Sequence, residues 1–242
     1  MTPFWSEMPL RIERFTLLSW AIPAERLAPF IPTPLRLETI LLPNQPEQAF
    51  LSVFVGRVRI QTFGLAWLPL SHLTYRTSVR YQNKLGVYPF RSVIDSSTLA
   101  ATARRTMGLS VQQSRLRVRW EESGRVEVDG EEIQLNFEAE RAAFSVSGLR
   151  LSGASLDNTL CPNLTYWTRR DGKISMAKVE HPRTLPLSGR LETIYLPWLQ
   201  EMGLLSLEEM QQPRSIFFVS RQVMKGLLAP AEQKLALMEP AI

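Results

Sequence analysis

Residues 73–81 read LTYRTSVRY. Successive side chains of a strand point to opposite faces. Leu73, Tyr75, Thr77, Val79 and Tyr81 therefore share one face, and Thr74, Arg76, Ser78 and Arg80 share the other. Such clean period-2 alternation marks a β-strand. Gln82–Asn83–Lys84 supplies a turn region, and a second strand continues from Gly86 to Asp95. Working outward, residues 49–60 (AFLSVFVGRVRI) are apolar on both faces and then alternate, as in a strand that leaves the core at one end. From Val111 to Trp120, Arg115, Arg117 and Arg119 oppose Leu116, Val118 and Trp120. A last strand covers Ser215 to Met224.

Two Asp-Gly pairs predict hairpins, because a type I′ turn needs positive φ at both central residues. Asp129–Gly130 would join 125–128 to 131–137, and Asp171–Gly172 would join 164–170 to 173–180. A two-residue loop at the second site sets Trp167 opposite Met176 and Leu164 opposite Val179. Helices are few. One runs from Ser97 to Met107, capped by Ser96 or Ser97, with Leu99, Ala100, Ala103 and Met107 on one side and Gly108 at the C-cap. Another covers about Pro197 to Met210, broken near Gly203, and a short turn starts at Pro23. The Pro-rich stretch Pro23 to Pro46 carries enough apolar residues to be packed and not a linker. The pattern is mostly β: an antiparallel barrel or sandwich with short helices, in one domain over residues 1–242.

Composition narrows the function. The chain has 242 residues, 45% of them hydrophobic, enough for a core without staples. One cysteine, Cys161, rules out an internal disulfide. There is no secretory h-region and no run of 18 apolar residues, so no membrane span is expected and the cytoplasm is. The net charge of +5 comes from arginines spread along the chain, without the clustered footprint of a nucleic-acid binder. No phosphate-binding glycine loop, nucleophile elbow or metal-ligand spacing occurs, so no cofactor or metal is implied.

Leu73 to Ser110, LTYRTSVRYQNKLGVYPFRSVIDSSTLAATARRTMGLS, resembles the central signature of the YqjF-like family of unknown function, within the acetoacetate decarboxylase-like superfamily. The matching positions include Arg76, Thr77, Gly86, Val87, Tyr88, Phe90, Asp95, Leu99, Ala103 and Arg104. Leu164 to Leu187 resembles the family's strand, Gly turn, strand and His-Pro segment, and Ser19–Trp20, Ile22–Pro23 and Ile31–Pro32 its opening. The resemblance implies a closed antiparallel β-barrel with an interior cavity. A decarboxylase of that superfamily relies on a Schiff-base lysine activated by a neighbouring cation. The lysine pair would follow the Ser97–Met107 helix, where Leu109, Ser110, Val111, Gln112 and Gln113 stand instead. Near the place of a family glutamate stands His72.

These residues define the candidate site. If the face bearing Arg76, Thr74 and Ser78 points inward, it forms a cationic lining for a carboxylate or phosphate, which guanidinium binds bidentately. If it points outward, it is a solvated face, the commoner fate of charged strand faces. His72 borders that lining. His181 and Glu180, in the His-Pro segment, are the candidate proton carriers, against a structural role. Arg115, Arg117 and Arg119 read as a solvated face. Cys161 reads as a buried thiol. Lys178 reads as a snorkelling side chain. Two functions follow. One is an enzyme or binding protein for a small, anionic organic acid in the barrel interior, without Schiff-base chemistry, and compatible with a homo-oligomer. The other is a scaffold acting through an outer surface that includes Trp5, Trp67 and Trp198.

Overall fold

The computed structural model describes residues 8–41, 46–62, 66–107, 110–121, 124–143, 164–170, 173–180, 187–219 and 224–228. The strands are β1 (Met8–Pro23), β2 (Arg36–Leu37), β3 (Thr39–Ile40), β4 (Gln48–Thr62), β5 (Ala66–Tyr81), β6 (Lys84–Ile94), β7 (Val111–Gln113) and β8 (Leu116–Trp120). They continue with β9 (Arg125–Gly130), β10 (Gln134–Ala143), β11 (Leu164–Arg170), β12 (Lys173–Glu180), β13 (Leu187–Tyr195), β14 (Ser215–Val219) and β15 (Met224–Leu228). Helices α1 (Ala24–Leu27), α2 (Ser97–Met107), α3 (Pro197–Glu201) and α4 (Leu207–Met210) are short. None is long and apolar enough to cross a membrane among the described residues.

The strands order as β3-β4-β5-β6-β11-β12-β15-β1-β14-β13-β10-β9-β8, with β2 beside β5 and β7 beside β6. This corrects the expected closed antiparallel barrel. The sheet is open and mixed: its path ends at β3 and β8, and β6 runs parallel to both β11 and β7. The cause lies in β1. One edge of it pairs with β4 from Leu10 to Pro23. The other edge is divided, Met8–Ile12 to β15 and Phe15–Ser19 to β14. A bulge between Ile12 and Arg14 separates the two registers, as bulges do when a strand changes direction. From that junction the arm β14-β13-β10-β9-β8 leaves the rest of the sheet.

Strands β1, β4 and β5 are covered on both faces. One face joins Leu18, Trp20, Leu51, Val53, Leu73 and Tyr75 to the arm and to α3 and α4. The other joins Phe15, Leu17, Phe50, Phe54 and Val58 to Leu99, Ala100 and Ala103 of α2 and to Val111. Helix α2 spans the expected residues, with the Ser96 hydroxyl receiving the Leu99 N–H at 3.4 Å. The turn after β5 has Gln82 at φ 47° and Asn83 at φ 61°, the I′ pattern, with Tyr81 opposite Lys84. In β11–β12, Trp167 faces Met176 and Leu164 faces Val179, as the two-residue loop predicts; Asp171 and Gly172 lie outside the described residues.

The other hairpin turns later than predicted. Asp129 pairs with Gln134, and Gly130 N–H donates to the Ile133 carbonyl at 2.8 Å, so Glu131 and Glu132 make the bend. Gly130 serves close approach instead: a Cβ there would lie 2.7 Å from the Arg115 carbonyl of the strand alongside. The expected terminal strand is two, β14 and β15, each on its own part of β1.

Candidate functional site

Arg76 lies at the centre of β5 and is 2% exposed. Charged strand faces meet water by default, but here α2 packs on this side together with Val111 of β7, the strand beside β6, so the alternating face is an inner one. Thr74 and Ser78 are buried with it. In register, Arg76 sits opposite Ser52 of β4, Ser52 opposite Ser19 of β1, and Ser19 opposite Ser215 of β14. Ser19 and Ser52 hydroxyls bond each other at 2.9 Å. A guanidinium thus ends a row of buried hydroxyls that crosses four strands. Its carbon stands 5.6 Å from the Phe54 ring centroid, a cation–π contact.

His72 and Thr74 meet directly. Thr74 Oγ1 is 2.6 Å from His72 Nε2 and 3.4 Å from Ser92 Oγ of β6. The His72 ring also meets Phe54 edge-on, centroids 5.8 Å apart. Gly56, opposite His72, makes room for this: a Cβ there would fall 2.6 Å from Phe54 Cζ. Packing around the imidazole, and then the positive charge of Arg76, pull the His72 pKa down from 6.5 to about 4. The ring is neutral at pH 7.

Ser92 is shared. It pairs with Thr74 on one side and with Val111 on the other. Val111 follows α2, where the superfamily resemblance would place a lysine pair, and it is buried among the apolar residues of this same face. The segment Ser110–Gln113 therefore brings no amine to the Arg76 face.

The other expected residues are not assembled here. Glu180 ends β12, paired with Lys225 of β15. His181, Cys161 and Trp5 lie outside the described residues. Lys178 pairs with Leu227 and Trp67 with Gln61 in the backbone ladder. Arg80, on the Arg76 face but at the strand end, is half-exposed and holds Glu38 at 2.8 Å. Arg115, Arg117 and Arg119 are exposed as read, and Arg117 and Arg119 line an outer cleft of about 400 Å3 with Glu127, Asp129 and Asn136. Trp198 is packed against Tyr75, Phe30 and Phe90, and Arg91 stacks on it at 4.7 Å. Arg91 in turn pairs with Glu132 at 2.6 Å, and the Tyr75 hydroxyl donates to the Glu132 carbonyl at 2.9 Å. Burial, reinforced by the Glu132 charge and opposed by Arg91, holds that phenol protonated well above its usual range.

Sequence reasoning missed Ser19, Ser52, Phe54 and Ser92. A lone serine or phenylalanine carries no positional signal; only register puts them beside Arg76.

No curated protein matches the chain. Solved structures share its fold at low identity. Acetoacetate decarboxylase from Legionella pneumophila is 10% identical with a TM-score of 0.59, over 92% of this chain and 85% of that one. The enduracididine biosynthesis enzyme MppR, complexed with the condensation product of pyruvate and imidazole 4-carboxaldehyde, is 10% identical with a TM-score of 0.57, over 91% and 86%. An acetoacetate decarboxylase-like enzyme from Sphingomonas wittichii RW1 is 8% identical with a TM-score of 0.59, over 93% and 92%. Residues 10–223 match DUF2071, described as an uncharacterized conserved protein (COG2071), and the chain belongs to that family.

Proposed function

We propose that this chain binds a small organic acid against the Arg76 face of β4, β5 and β6. In this reading it is a single cytoplasmic domain of the YqjF-like branch, without nucleic-acid or membrane partners. The carrying observation is the buried Arg76 guanidinium at the end of the Ser19–Ser52 hydroxyl row. Guanidinium matches a carboxylate in shape and charge, and its five donors leave room for more than one partner. Thr74, Ser78 and His72 stand beside it as neutral hydrogen-bonding groups. Val111 in place of an amine argues against Schiff-base decarboxylation, so any reaction here uses other groups. His181 and Glu180 stay as proposed proton carriers on the sequence resemblance alone. The outer-surface reading loses ground because Trp198, one of its three tryptophans, is occupied by Tyr75, Phe90 and Arg91.

The test is a thermal-shift panel of acetate, pyruvate, succinate, acetoacetate and phosphate on the wild type, Arg76→Lys and Arg80→Ala. A true ligand at about 100 times its Kd adds about 2.7 kcal/mol of stability. The wild type and Arg80→Ala should respond and Arg76→Lys should not, since lysine keeps the charge but loses the fork. Equal stabilisation of Arg76→Lys and the wild type would sink the assignment.

A further inference from the structure

We infer that the outer cleft over β8, β9, β10 and β13 is a separate site, which takes a free α-amino acid with an uncharged polar side chain. The ligand's carboxylate lies on Arg117, its ammonium between Glu127 and Asp129, and its side chain on Asn136 and Thr193. The cleft follows from alternation. Leu116, Val126, Val128, Leu135, Phe137 and Ile194 turn one face of these strands into the core. The residues between them stand on the other face. There Arg119, Glu127, Asn136 and Thr193 are opposite one another in register, and alongside that row so are Arg117, Asp129 and Gln134. Glu127 and Asn136 are half-buried and form the floor; Arg117, Arg119, Asp129 and Thr193 are exposed and form the rim. The cleft holds about 400 Å3, within the range of small-molecule sites.

Its charges stand near one another without bonding. Arg115 lies 3.7 Å from Asp129, Arg119 3.8 Å from Glu127 and Arg125 3.6 Å from Glu127. Contacts of that length are not hydrogen bonds, and exposed ion pairs contribute little. At the bend of the same hairpin the acids are satisfied: Glu131 takes the Ser114 hydroxyl at 2.7 Å, and Glu132 takes Arg91 at 2.6 Å. Arg117 forms no ion pair among the described residues, although Asp129 is its direct neighbour across the ladder, because Asp129 leans to Arg115. Asn136 gives one N–H to Thr193 Oγ1 at 3.3 Å. The remaining donors and acceptors of the cleft face its open space.

The order of these groups across the strands identifies the ligand. Guanidinium stands on β8, carboxylate on β9, carboxamide on β10 and hydroxyl on β13. The two guanidinium groups and two carboxylates of the lining cancel. A lone anion would meet Glu127 and Asp129, and a lone cation would meet Arg117 and Arg119. A zwitterion meets each charge with its opposite. Neighbouring strands are about 4.8 Å apart, so the α-carboxylate and α-ammonium, on one carbon, address β8 and β9 together. A carboxamide or hydroxyl side chain then reaches β10 and β13, where Asn136 offers both a donor and an acceptor. Charge-assisted hydrogen bonds hold the two charged ends. No bond is made or broken.

The test is a titration of the isotope-labelled protein with L-glutamine, followed by NMR. Signals of the Arg117 Nε–H and of the Gln134 and Asn136 carboxamides should shift and saturate. N-Acetylglutamine lacks the ammonium and glutamine α-amide lacks the carboxylate; each should bind at least about tenfold more weakly than glutamine. Arg117→Ala and Glu127→Gln should weaken glutamine binding by a similar factor. Both side chains lie outside the core, so these variants keep the fold, and the dispersion of the spectrum checks it. The deciding comparison is crossed. Arg117→Ala should bind glutamine and its α-amide equally, because the carboxylate has lost its partner. A preference for glutamine that survives in Arg117→Ala overturns the assignment. So does the absence of a saturating shift with glutamine, and so does an equal shift of the same signals by glycerol or glucose, which would make the cleft a general polar surface.

Discussion

Gly56→Ala should damage the Arg76 face without touching any of its polar groups. The added methyl would sit 2.6 Å from Phe54 Cζ, 2.8 Å from Cε1 and 3.2 Å from the Arg14 carbonyl. Backbone cannot yield easily between two paired strands, so the ring must move. Phe54 stacks on Phe15 with centroids 5.3 Å apart, meets His72 edge-on and underlies Arg76. Overpacking of this kind costs about 1–3 kcal/mol. At a slope of about 2 kcal/mol per molar urea, a 2 kcal/mol loss moves the midpoint by about 1 M. The causal step is checked by a double-mutant cycle with Phe54→Leu, which removes Cζ and both Cε atoms. In that background the Gly56→Ala penalty should fall by at least about 0.5 kcal/mol, the size of coupling expected between contacting residues. A penalty unchanged by Phe54→Leu would show that the methyl meets something other than the ring, and the argument that Gly56 shapes the site would fail.

Stability should also depend on His72. Its folded pKa of about 4 lies below its ordinary 6.5, so between these values the unfolded chain binds a proton that the folded chain does not. Stability from this group is complete above pH 6.5 and falls as pH drops to 4, by on the order of 3 kcal/mol. Urea titrations across that window should show a shallower slope for His72→Gln, and equal slopes would refute the assignment. At α4, the Ser206 hydroxyl takes the Glu209 N–H at 3.1 Å while the Glu209 carboxylate takes the Ser206 N–H at 2.7 Å. Ser206→Ala should cost about 1 kcal/mol and speed hydrogen exchange at Glu209 and Met210; unchanged exchange would mean that the cap is not what holds the turn.

Local chemistry made parts of this fold legible in the sequence. A serine cap and apolar spacing fixed α2, and Asp-Gly fixed the β11–β12 register. What was hidden depends on long-range pairing. Leu17–Leu18 is apolar on both faces, so β1 has no alternation to reveal it. Asp129–Gly130 looked like a turn because glycine has two uses, and close approach to β8 won over positive φ. The face of Arg76 stayed open between inner and solvated because alternation reports two faces and not what covers them. The site was half visible: Thr74, Arg76, Ser78 and His72 come from one strand, whereas Ser19, Ser52 and Ser92 come from three others. The closed barrel failed because sequence gives no warning that the two halves of β1 take different neighbours.

That divided strand has a cost during synthesis. β1 finds β4 early, since only α1, the short strands β2 and β3 and their connections intervene. Its other edge must wait for β14 and β15, which follow every other strand described and leave the ribosome long after β4. Through most of the chain's emergence, β1 offers a row of unpaired backbone groups to any neighbouring strand, including one from another nascent copy. Arg11, Glu13 and Arg14 fall in that stretch, and the bulge at Ile12 bends it. Both are means by which a naked edge discourages foreign strands until its own arrive.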